Sequence, residues 1–305
     1  MEYYTSKEIS IKWDISERSV RDYCVKGRVP GAYLDGKIWK IPQDAKKPER
    51  QARTTSKIRT LLEILRDEKD SKTSGGIYHT LQIDMTYNSN HIEGSKLTHD
   101  ETRYIFETQT ISGGSTKKVN DIIETVNHFK CIDIVIDLAK AKLSESIIKQ
   151  LHYVLKANTT DSRNNWFKVG DYKILPNEVG GNYTTTPENV KEAMKKLIGD
   201  YNTKEKINIE DIIEFHKEFE RIHPFQDGNG RVGRLIMLKE CLKYNYVPII
   251  ILDDFKYLYY NGLQQWDNER GYLIETCLHG QDLTKKLLDK YNIKYWYWGQ
   301  IDKQN

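Results

Sequence analysis

Apolar residues recur three and four positions apart along most of the chain, a spacing that places them on one face of a helix. This pattern predicts helices over residues 77–91, 98–109, 118–141, 144–156, 187–202, 208–221 and 231–244. The one extended stretch in this region lies between Val169 and Tyr183, where Pro176-Asn177 and Gly180-Gly181 interrupt it. We therefore predict a mainly α-helical domain with a single β-hairpin.

The first part of the chain follows a different pattern. Thr5 or Ser6 can cap a short helix that ends at Trp13. Ser16 can cap a second helix that ends near Val25. The spacing predicts two short helices separated by a turn.

A hairpin and a linker follow these two helices. Asp35-Gly36 lies between flanks that alternate apolar and polar residues, which is a strong hairpin signal. Polar residues around Pro48 then precede helical spacing that starts near Ser56. The chain is therefore predicted to have four parts: a small winged helix-turn-helix domain at residues 1–47, a linker and connector helix at 48–76, a helical domain at 77–290 and an aromatic tail at 291–305. We expect the tail to pack on a helix or on a partner subunit.

Composition narrows the class of protein. With 305 residues the chain is long enough for two domains. No apolar run approaches the roughly 18 residues of a membrane helix, and the first residues lack the apolar segment of a secretory signal. We therefore expect a cytoplasmic protein without a membrane partner. The four cysteines lack any Cys-x-x-Cys pairing and are expected to be reduced, mostly buried thiols: Cys24, Cys131, Cys241 and Cys277.

The net charge of +3 is unevenly distributed. Residues 1–57 carry 13 Lys or Arg against 8 Asp or Glu, so the remainder sums to about −2. The segment from Thr5 to Pro42 resembles the winged helix-turn-helix of MerR and excisionase proteins, and this resemblance implies DNA as a partner. The candidate DNA-binding residues are Arg18, Ser19, Arg21, Lys26, Lys37 and Lys40. Such folds also serve as protein-interaction modules, and this alternative stays open.

The segment from His223 to Arg234 is the most informative in the chain. It reads His-Pro-Phe-Gln-Asp-Gly-Asn-Gly-Arg-Val-Gly-Arg. Gly228 and Gly230 allow the backbone angles of an anion-binding turn, and the following helix adds free N–H groups and the positive end of its dipole. A phosphate group is the natural occupant of such a turn.

Side chains around this turn fit a reaction of a polyphosphate. Arg231 and Arg234 share one face of the helix and can both reach a polyphosphate. Asp227 can hold a Mg²⁺ ion that bridges phosphate oxygens. His223 titrates near neutrality and can take the proton of an attacking hydroxyl. His216, whose spacing from His223 does not match a metal pair, is assigned to packing or capping.

The segment resembles the signature of Fic proteins, H-P-F-x-D-G-N-G-R-x-x-R, at every fixed position, and the resemblance covers roughly residues 77–280. It implies an all-helical Fic core with a β-hairpin flap. It also implies that His223 is the general base, that Asp227 binds Mg²⁺ and that Asn229 contacts the α-phosphate. Arg231 and Arg234 would clamp the triphosphate.

Other positions take their roles from the same resemblance. The related Doc branch, which transfers phosphate, departs from this glycine pattern, so Gly228 and Gly230 favour transfer of a nucleotide. Tyr260 falls where Fic enzymes place a tyrosine near the nucleobase. The flap would dock the target protein through Tyr172, Lys173, Ile174, Leu175 and Val179.

A second motif lies upstream of the signature. Ser89-Asn90-His91-Ile92-Glu93-Gly94 resembles the Fic inhibitory motif, [S/T]-x-x-x-E-[G/N]. Ser89 and Glu93 lie one helical turn apart, and Gly94 is a suitable helix stop. The resemblance implies a self-inhibitory helix over residues 77–94, in which Glu93 pairs with Arg234 and keeps the γ-phosphate of ATP from its productive position.

From the sequence we predict a protein adenylyltransferase that uses ATP and Mg²⁺ to attach AMP to a Ser, Thr or Tyr hydroxyl of a target protein. One alternative is removal of AMP from a modified protein, with Glu93 orienting a water molecule. Another is a DNA-binding regulator whose Fic core senses nucleotide. A homodimer is compatible with all three.

Overall fold

The computed structural model describes residues 2–48, 59–111 and 116–293. Its internal contacts divide the chain into two units, residues 1–58 and residues 59–305. Each unit has its own buried apolar cluster, one drawn from residues 4–45 and the other from residues 61–293.

The first unit combines two helices with a three-stranded antiparallel sheet. Its elements in order are β1 (Tyr3–Tyr4), α1 (Ser6–Trp13), α2 (Glu17–Val25), β2 (Tyr33–Asp35) and β3 (Ile38–Pro42), and β3 is the central strand. The side chain of Thr5 caps α1 and that of Ser16 caps α2, as the sequence predicts. Strand β1 was not predicted, because two residues are too short for an alternation pattern. The winged helix-turn-helix interpretation of this unit stays a prediction.

The second unit is mainly helical. Its helices are α3 (Leu61–Ser71), α4 (Ile77–Ile92), α5 (His99–Thr108), α6 (Val119–Leu138), α7 (Glu145–Lys156), α8 (Pro187–Thr203), α9 (Ile209–Ile222), α10 (Asn229–Tyr244), α11 (Lys256–Gln265) and α12 (Gly271–Lys290). Short 3₁₀ turns cover Asp161–Arg163 and Asp253–Phe255, and the hairpin strands are β4 (Glu178–Val179) and β5 (Asn182–Tyr183). All seven helices predicted from periodicity are present, and their ends differ from the prediction by at most three residues.

Helix α10 lies at the centre of the second unit, where it packs against α4, α6, α7 and α9. Thirteen of its residues are buried, including the polar Asn229 and the two arginines at 231 and 234. Helix α9 leads into it and begins with a capping box, in which Asn208 and Asp211 bond each other's backbone N–H groups. The signature segment thus joins two helices of the core.

The sequence analysis missed α11 and α12. Neither helix has a side-chain hydrogen bond at its N-cap, so the capping signal that marks several other helices is absent at these two. The connector helix was predicted to start near Ser56, but α3 begins after Thr60, whose side chain forms a capping box with Glu63. Residues 49–58 lie outside the described part of the chain.

Two remaining expectations concern the ends and the cysteines. Tyr291 bonds Thr80 through its hydroxyl at 2.6 Å, while residues 294–305 of the aromatic tail lie outside the described residues. All four cysteines are buried free thiols. None of the helices in the described ranges has an apolar stretch long enough to cross a membrane.

We predict that residues 59–305 fold without residues 1–58, because the apolar cluster of the second unit is built entirely from its own residues. Thermal unfolding of this fragment, followed by far-ultraviolet circular dichroism, is expected to be cooperative, with the same midpoint as the second unit has in the full chain. A fragment that unfolds gradually would show that the first unit is required for folding.

Candidate active site

The loop from His223 to Gly228 joins α9 to α10 through two left-handed residues. His223 ends α9 with φ 50°, and its N–H donates to the carbonyl of Phe219 at 2.9 Å. Gly228 is the N-cap of α10 with φ 81°, a conformation that favours glycine. The buried amide of Asn229 closes the loop, since it accepts from the N–H of Phe225 and donates to its carbonyl, each at 2.8 Å.

This clamp changes what is expected of Asn229. Both polar atoms of its side chain are engaged by the backbone of the loop, so the side chain holds the loop's shape. Its backbone N–H belongs to the first turn of α10, where N–H groups lack helical partners and can meet an anion. The predicted contact with the α-phosphate is therefore better suited to this N–H than to the amide.

His223 is oriented for one particular role. Its Nδ1 lies 3.3 Å from the carbonyl oxygen of Glu220, so Nδ1–H donates there and Nε2 is left to accept a proton. Burial and the nearby ammonium of Lys173 together lower the pKa of this imidazole to about 4. His223 is therefore neutral, as a general base must be, throughout the physiological range.

Arg234 is buried, and its Nε and Nη2 are both engaged by residues at the end of α4. Its Nε donates to the hydroxyl of Ser89 at 3.0 Å, and its Nη2 donates to the carbonyl of Ser89 at 2.9 Å. The same Nη2 donates to Oε1 of Glu93 at 2.7 Å. The two residues of the upstream motif thus bind the second arginine of the signature.

Glu93 also sits against the first turn of α10. A methyl group built at Gly230 would lie 2.3 Å from Oε1 of Glu93, so only glycine permits this approach. Burial opposes ionisation, but Arg234 and Arg231 outweigh it and lower the pKa of the Glu93 carboxyl. A carboxylate therefore lies beside the free N–H groups and the arginines that are predicted to bind phosphate. Gly94 follows with φ 94° and ends the helix.

Asp227 faces two cations. Its Oδ2 accepts from Lys156 at 2.5 Å and lies 3.5 Å from Nη2 of Arg231. Burial opposes ionisation, yet Arg231 and Lys156 hold the pKa of this carboxyl well below its usual range. The side chain stays half exposed, so it can still contribute an oxygen to a metal.

The residues around Asp227 can hold Mg²⁺ only together with ligands from a nucleotide. No group of three or more His, Cys, Asp or Glu side chains that could hold a metal occurs among the residues that the structure describes. Mg²⁺ is commonly bound by one or two carboxylates together with substrate phosphates, so the single carboxylate of Asp227 is sufficient only when nucleotide phosphates complete the shell.

Comparison with known proteins accords with this geometry. Residues 142–241 match the profile of the Fic/DOC family. Over these residues the chain is similar to Fic/DOC proteins. It is 26% identical over 213 residues to a protein adenylyltransferase Fic of Culex quinquefasciatus and 25% identical over 232 residues to one of Nematostella vectensis. Each alignment covers 68% of this chain but only 41% and 53% of the two relatives, so the chain matches about half of their length or less.

A solved structure supports the same fold. A Fic-domain-containing signaling protein from Bacteroides thetaiotaomicron superposes with a TM-score of 0.61 at 25% identity. The superposition covers 77% of this chain and 99% of that one. The mainly helical Fic fold predicted from the signature is thereby confirmed.

The predicted flap forms a short hairpin. Its strands cover residues 178–179 and 182–183, at the end of the stretch from Val169 to Tyr183 in which the sequence predicts an extended element. Tyr172 and Lys173 are buried, so they anchor the segment and do not present a surface to a target. Exposure is found instead at Ile174, Leu175 and Val179, and most of all at Tyr183.

Lys173 connects the flap to the signature loop. Its N–H donates to the carbonyl of Pro224 at 2.9 Å, and its ammonium donates to Asn177 and Thr184, each at 2.6 Å. Asn177 in turn donates to the carbonyl of Phe225 at 3.0 Å. These bonds fix the base of the flap beside His223, and no pattern in the sequence indicates them.

Two tyrosines of α11, Tyr259 and Tyr260, lie near the site. Tyr260 is partly exposed and its hydroxyl bonds the carbonyl of Ile92 at 3.3 Å, which places it beside the end of the upstream helix. Its contact with a nucleobase stays a prediction. Tyr259 is buried, and its hydroxyl lies 3.4 Å from Nη1 of Arg234 and 2.7 Å from Nε2 of His216. His216 therefore serves packing, as expected from its spacing.

The DNA-binding candidates lie in the first unit, which is described by itself. Arg21 pairs with Glu17 at 2.6 Å and Lys26 pairs with Asp22 at 2.7 Å on the same helix. The hydroxyl of Ser19 bonds that of the N-cap Ser16. Arg18 and Lys37 are exposed, and Lys40 is half-buried. Exposed ion pairs contribute little to stability, so these lysine and arginine side chains remain able to leave their carboxylates for a phosphate. DNA binding by this unit stays a prediction.

We predict that His223 titrates near 4 and that Lys173→Met raises this pKa, because a nearby positive charge disfavours the imidazolium. A two-dimensional NMR titration of the histidine ring resonances measures both values. Lys196→Met removes a charge from the exposed face of α8 and is expected to leave the titration unchanged. A wild-type value near the ordinary 6.5 would contradict the proposed effect of burial.

Proposed function

We propose that this chain is a protein adenylyltransferase that transfers AMP from ATP to a Ser, Thr or Tyr hydroxyl of a target protein. The names of the Culex and Nematostella relatives support the activity. The observation that carries the proposal is the short loop that places a neutral His223 directly before the first turn of α10. A proton acceptor and an anion-binding helix end are thereby joined within a few residues.

In this mechanism the chain performs three tasks. Nε2 of His223 accepts the proton of the target hydroxyl. The free N–H groups of α10 and the guanidinium groups of Arg231 and Arg234 bind the phosphates. The hydroxyl oxygen then forms a bond to the α-phosphorus, while the bond from that phosphorus to pyrophosphate breaks.

Asp227 would hold Mg²⁺ in the presence of nucleotide. A bound Mg²⁺ supplies positive charge to the phosphate oxygens and to the leaving group. The half-exposed carboxylate beside Gly228 is suited to this contact. The remaining work, which is binding of the phosphates and removal of the proton, falls to the residues of the loop and of α10.

We propose further that the chain inhibits itself through Glu93. This carboxylate occupies the guanidinium of Arg234 and lies against Gly230, so it competes with phosphate for the same donors. The competition holds the protein in a state that binds the γ-phosphate poorly. A second candidate activity uses the same group, since an ionised Glu93 beside the phosphate site can orient a water molecule that removes AMP from a modified protein.

We predict that His223→Ala abolishes AMP transfer but retains ATP binding, because the imidazole acts on the hydroxyl and not on the phosphates. Transfer of AMP from α-³²P-labelled ATP and isothermal titration of ATP measure the two properties. His99→Ala, a change of an exposed histidine at the start of α5, serves as the matched control and is expected to behave as wild type. Equal losses of affinity and rate in His223→Ala would contradict the assigned role.

We predict that Glu93→Gly raises AMP transfer about tenfold or more, since one charge-assisted hydrogen bond contributes about 1.5 to 3 kcal/mol and 1.4 kcal/mol corresponds to a factor of ten. Glu93→Gln, which keeps the shape but loses the charge, is expected to give a smaller rise. Arg234→Ala is expected to stay inactive with either residue at position 93, because ATP needs the same arginine. The transfer rates of the wild type and of these four variants, the double variant included, decide the matter, and an active Arg234→Ala would exclude this arginine as the partner.

If the protein removes AMP instead, the same variant separates the two activities. Release of AMP from a modified protein would be lost in Glu93→Gly, because the carboxylate that orients water is gone. Gain of transfer and loss of release in one variant would assign both activities to this site.

A further inference from the structure

A buried lysine lies beside the carboxylate that is expected to bind metal. Lys156 ends α7, and its side chain is only 1% exposed. Its ammonium donates to Glu124 of α6 and, at 2.5 Å, to Oδ2 of Asp227. Neither Lys156 nor Glu124 belongs to the signature segment, and no role was assigned to them from the sequence.

Arg231 completes a square of alternating charges. Its Nη1 donates to the second oxygen of Glu124 at 2.5 Å, while its Nη2 lies 3.5 Å from Oδ2 of Asp227. Two cations and two carboxylates therefore balance, and Oδ2 of Asp227 faces both cations. The aliphatic stem of Lys156 packs on the loop, since a methyl group built at Gly228 would lie 3.4 Å from its Cδ. Packing and pairing both hold the ammonium at Asp227.

We propose that Lys156 is a resident cation that weakens binding of divalent metal at Asp227 until nucleotide phosphates are present. The inference rests on the proposed function, because it takes Asp227 as the metal ligand. A metal that approaches Asp227 alone meets an oxygen already shared by two cations and is repelled by their charge. Nucleotide phosphates add negative charge that offsets the repulsion, so metal and nucleotide enter together.

If Lys156 only oriented the metal ligand Asp227, its loss would change the metal affinity in the opposite direction. Outer groups that merely orient a metal ligand support binding, and their loss typically weakens metal affinity about 10-fold to 100-fold. A resident cation, by contrast, competes, so its loss strengthens binding. The direction of the change in metal affinity therefore separates the two roles, and no activity measurement is needed.

The test is a titration of the nucleotide-free full chain with Mn²⁺, followed by electron paramagnetic resonance of the free ion. Lys156→Met keeps the length of the side chain without its charge, and Glu124 retains Arg231 as a partner. We expect Lys156→Met to bind Mn²⁺ about tenfold more tightly than wild type, a change of the size that outer groups cause at metal sites. Lys156→Arg keeps the charge and is expected to bind as weakly as wild type.

Two further variants test simpler explanations of a change in Mn²⁺ affinity. Lys149→Met removes a lysine from the same helix, where it pairs with Glu145 and Asp171, and is expected to leave Mn²⁺ affinity unchanged. Glu124→Gln leaves the ammonium of Lys156 to Asp227, and we expect it to weaken Mn²⁺ binding. If Lys156→Met does not fold, the Mn²⁺ affinity of Glu124→Gln tests the proposal in its place.

The outcomes separate this inference from the proposed function. Unchanged or weaker Mn²⁺ binding by Lys156→Met, with binding lost in Asp227→Asn, overturns the role of Lys156 and leaves AMP transfer untouched. Mn²⁺ binding that survives in Asp227→Asn overturns the inference together with the assigned metal ligand. Tighter binding by Lys156→Met in a protein that transfers no AMP supports the inference and rejects the proposed function.

Discussion

Two arginines on the central helix must each find a carboxylate inside the core. Arg231 and Arg234 are 4% and 3% exposed, and an unpaired buried cation would be strongly destabilising. Glu124 of α6 pairs with the first, and Glu93 at the end of α4 pairs with the second. The approach of α4 and α6 to the start of α10 is therefore coupled to the charges that α10 buries.

This requirement has a direct consequence for ligand binding. The protein's own carboxylates already neutralise these arginines, so in the proposed reaction an entering phosphate would exchange partners with Glu93 and would not fill an uncompensated charge. The exchange is favourable only where phosphate forms stronger or more numerous hydrogen bonds with the arginine and the N–H groups than the carboxylate of Glu93 does. The proposed site would therefore favour a polyphosphate over a single small anion.

Much of this arrangement follows from the sequence, and the reasons for the exceptions are physical. The loop from His223 to Arg234 is contiguous, so its chemistry is visible in a single segment. The pairing of Glu93 with Arg234 was also expected, because a motif resemblance linked two distant segments. Lys156 and Glu124 were missed because each is an ordinary residue of an amphipathic helix, and only the packing of α6 against α7 brings them together.

The flap also contains a contact that only the folded structure reveals. Its turn was evident from Gly180-Gly181, but the burial of Lys173 was not, since a lysine in a polar stretch normally lies in solvent. In the structure its ammonium meets neutral partners, Asn177 and Thr184, and burial lowers its pKa to about 8.

That buried cation connects the position of the flap to the chemistry of the base. The backbone of Lys173 is bonded to Pro224, next to His223, so the ammonium stays near the imidazole as long as the flap is seated. Its charge disfavours the imidazolium and thereby keeps His223 ready to accept a proton. A flap displaced from the loop would remove both the docking edge for the target and one of the causes that keep the base neutral. In the proposed mechanism, target docking and activation of the hydroxyl would thus depend on the same set of hydrogen bonds.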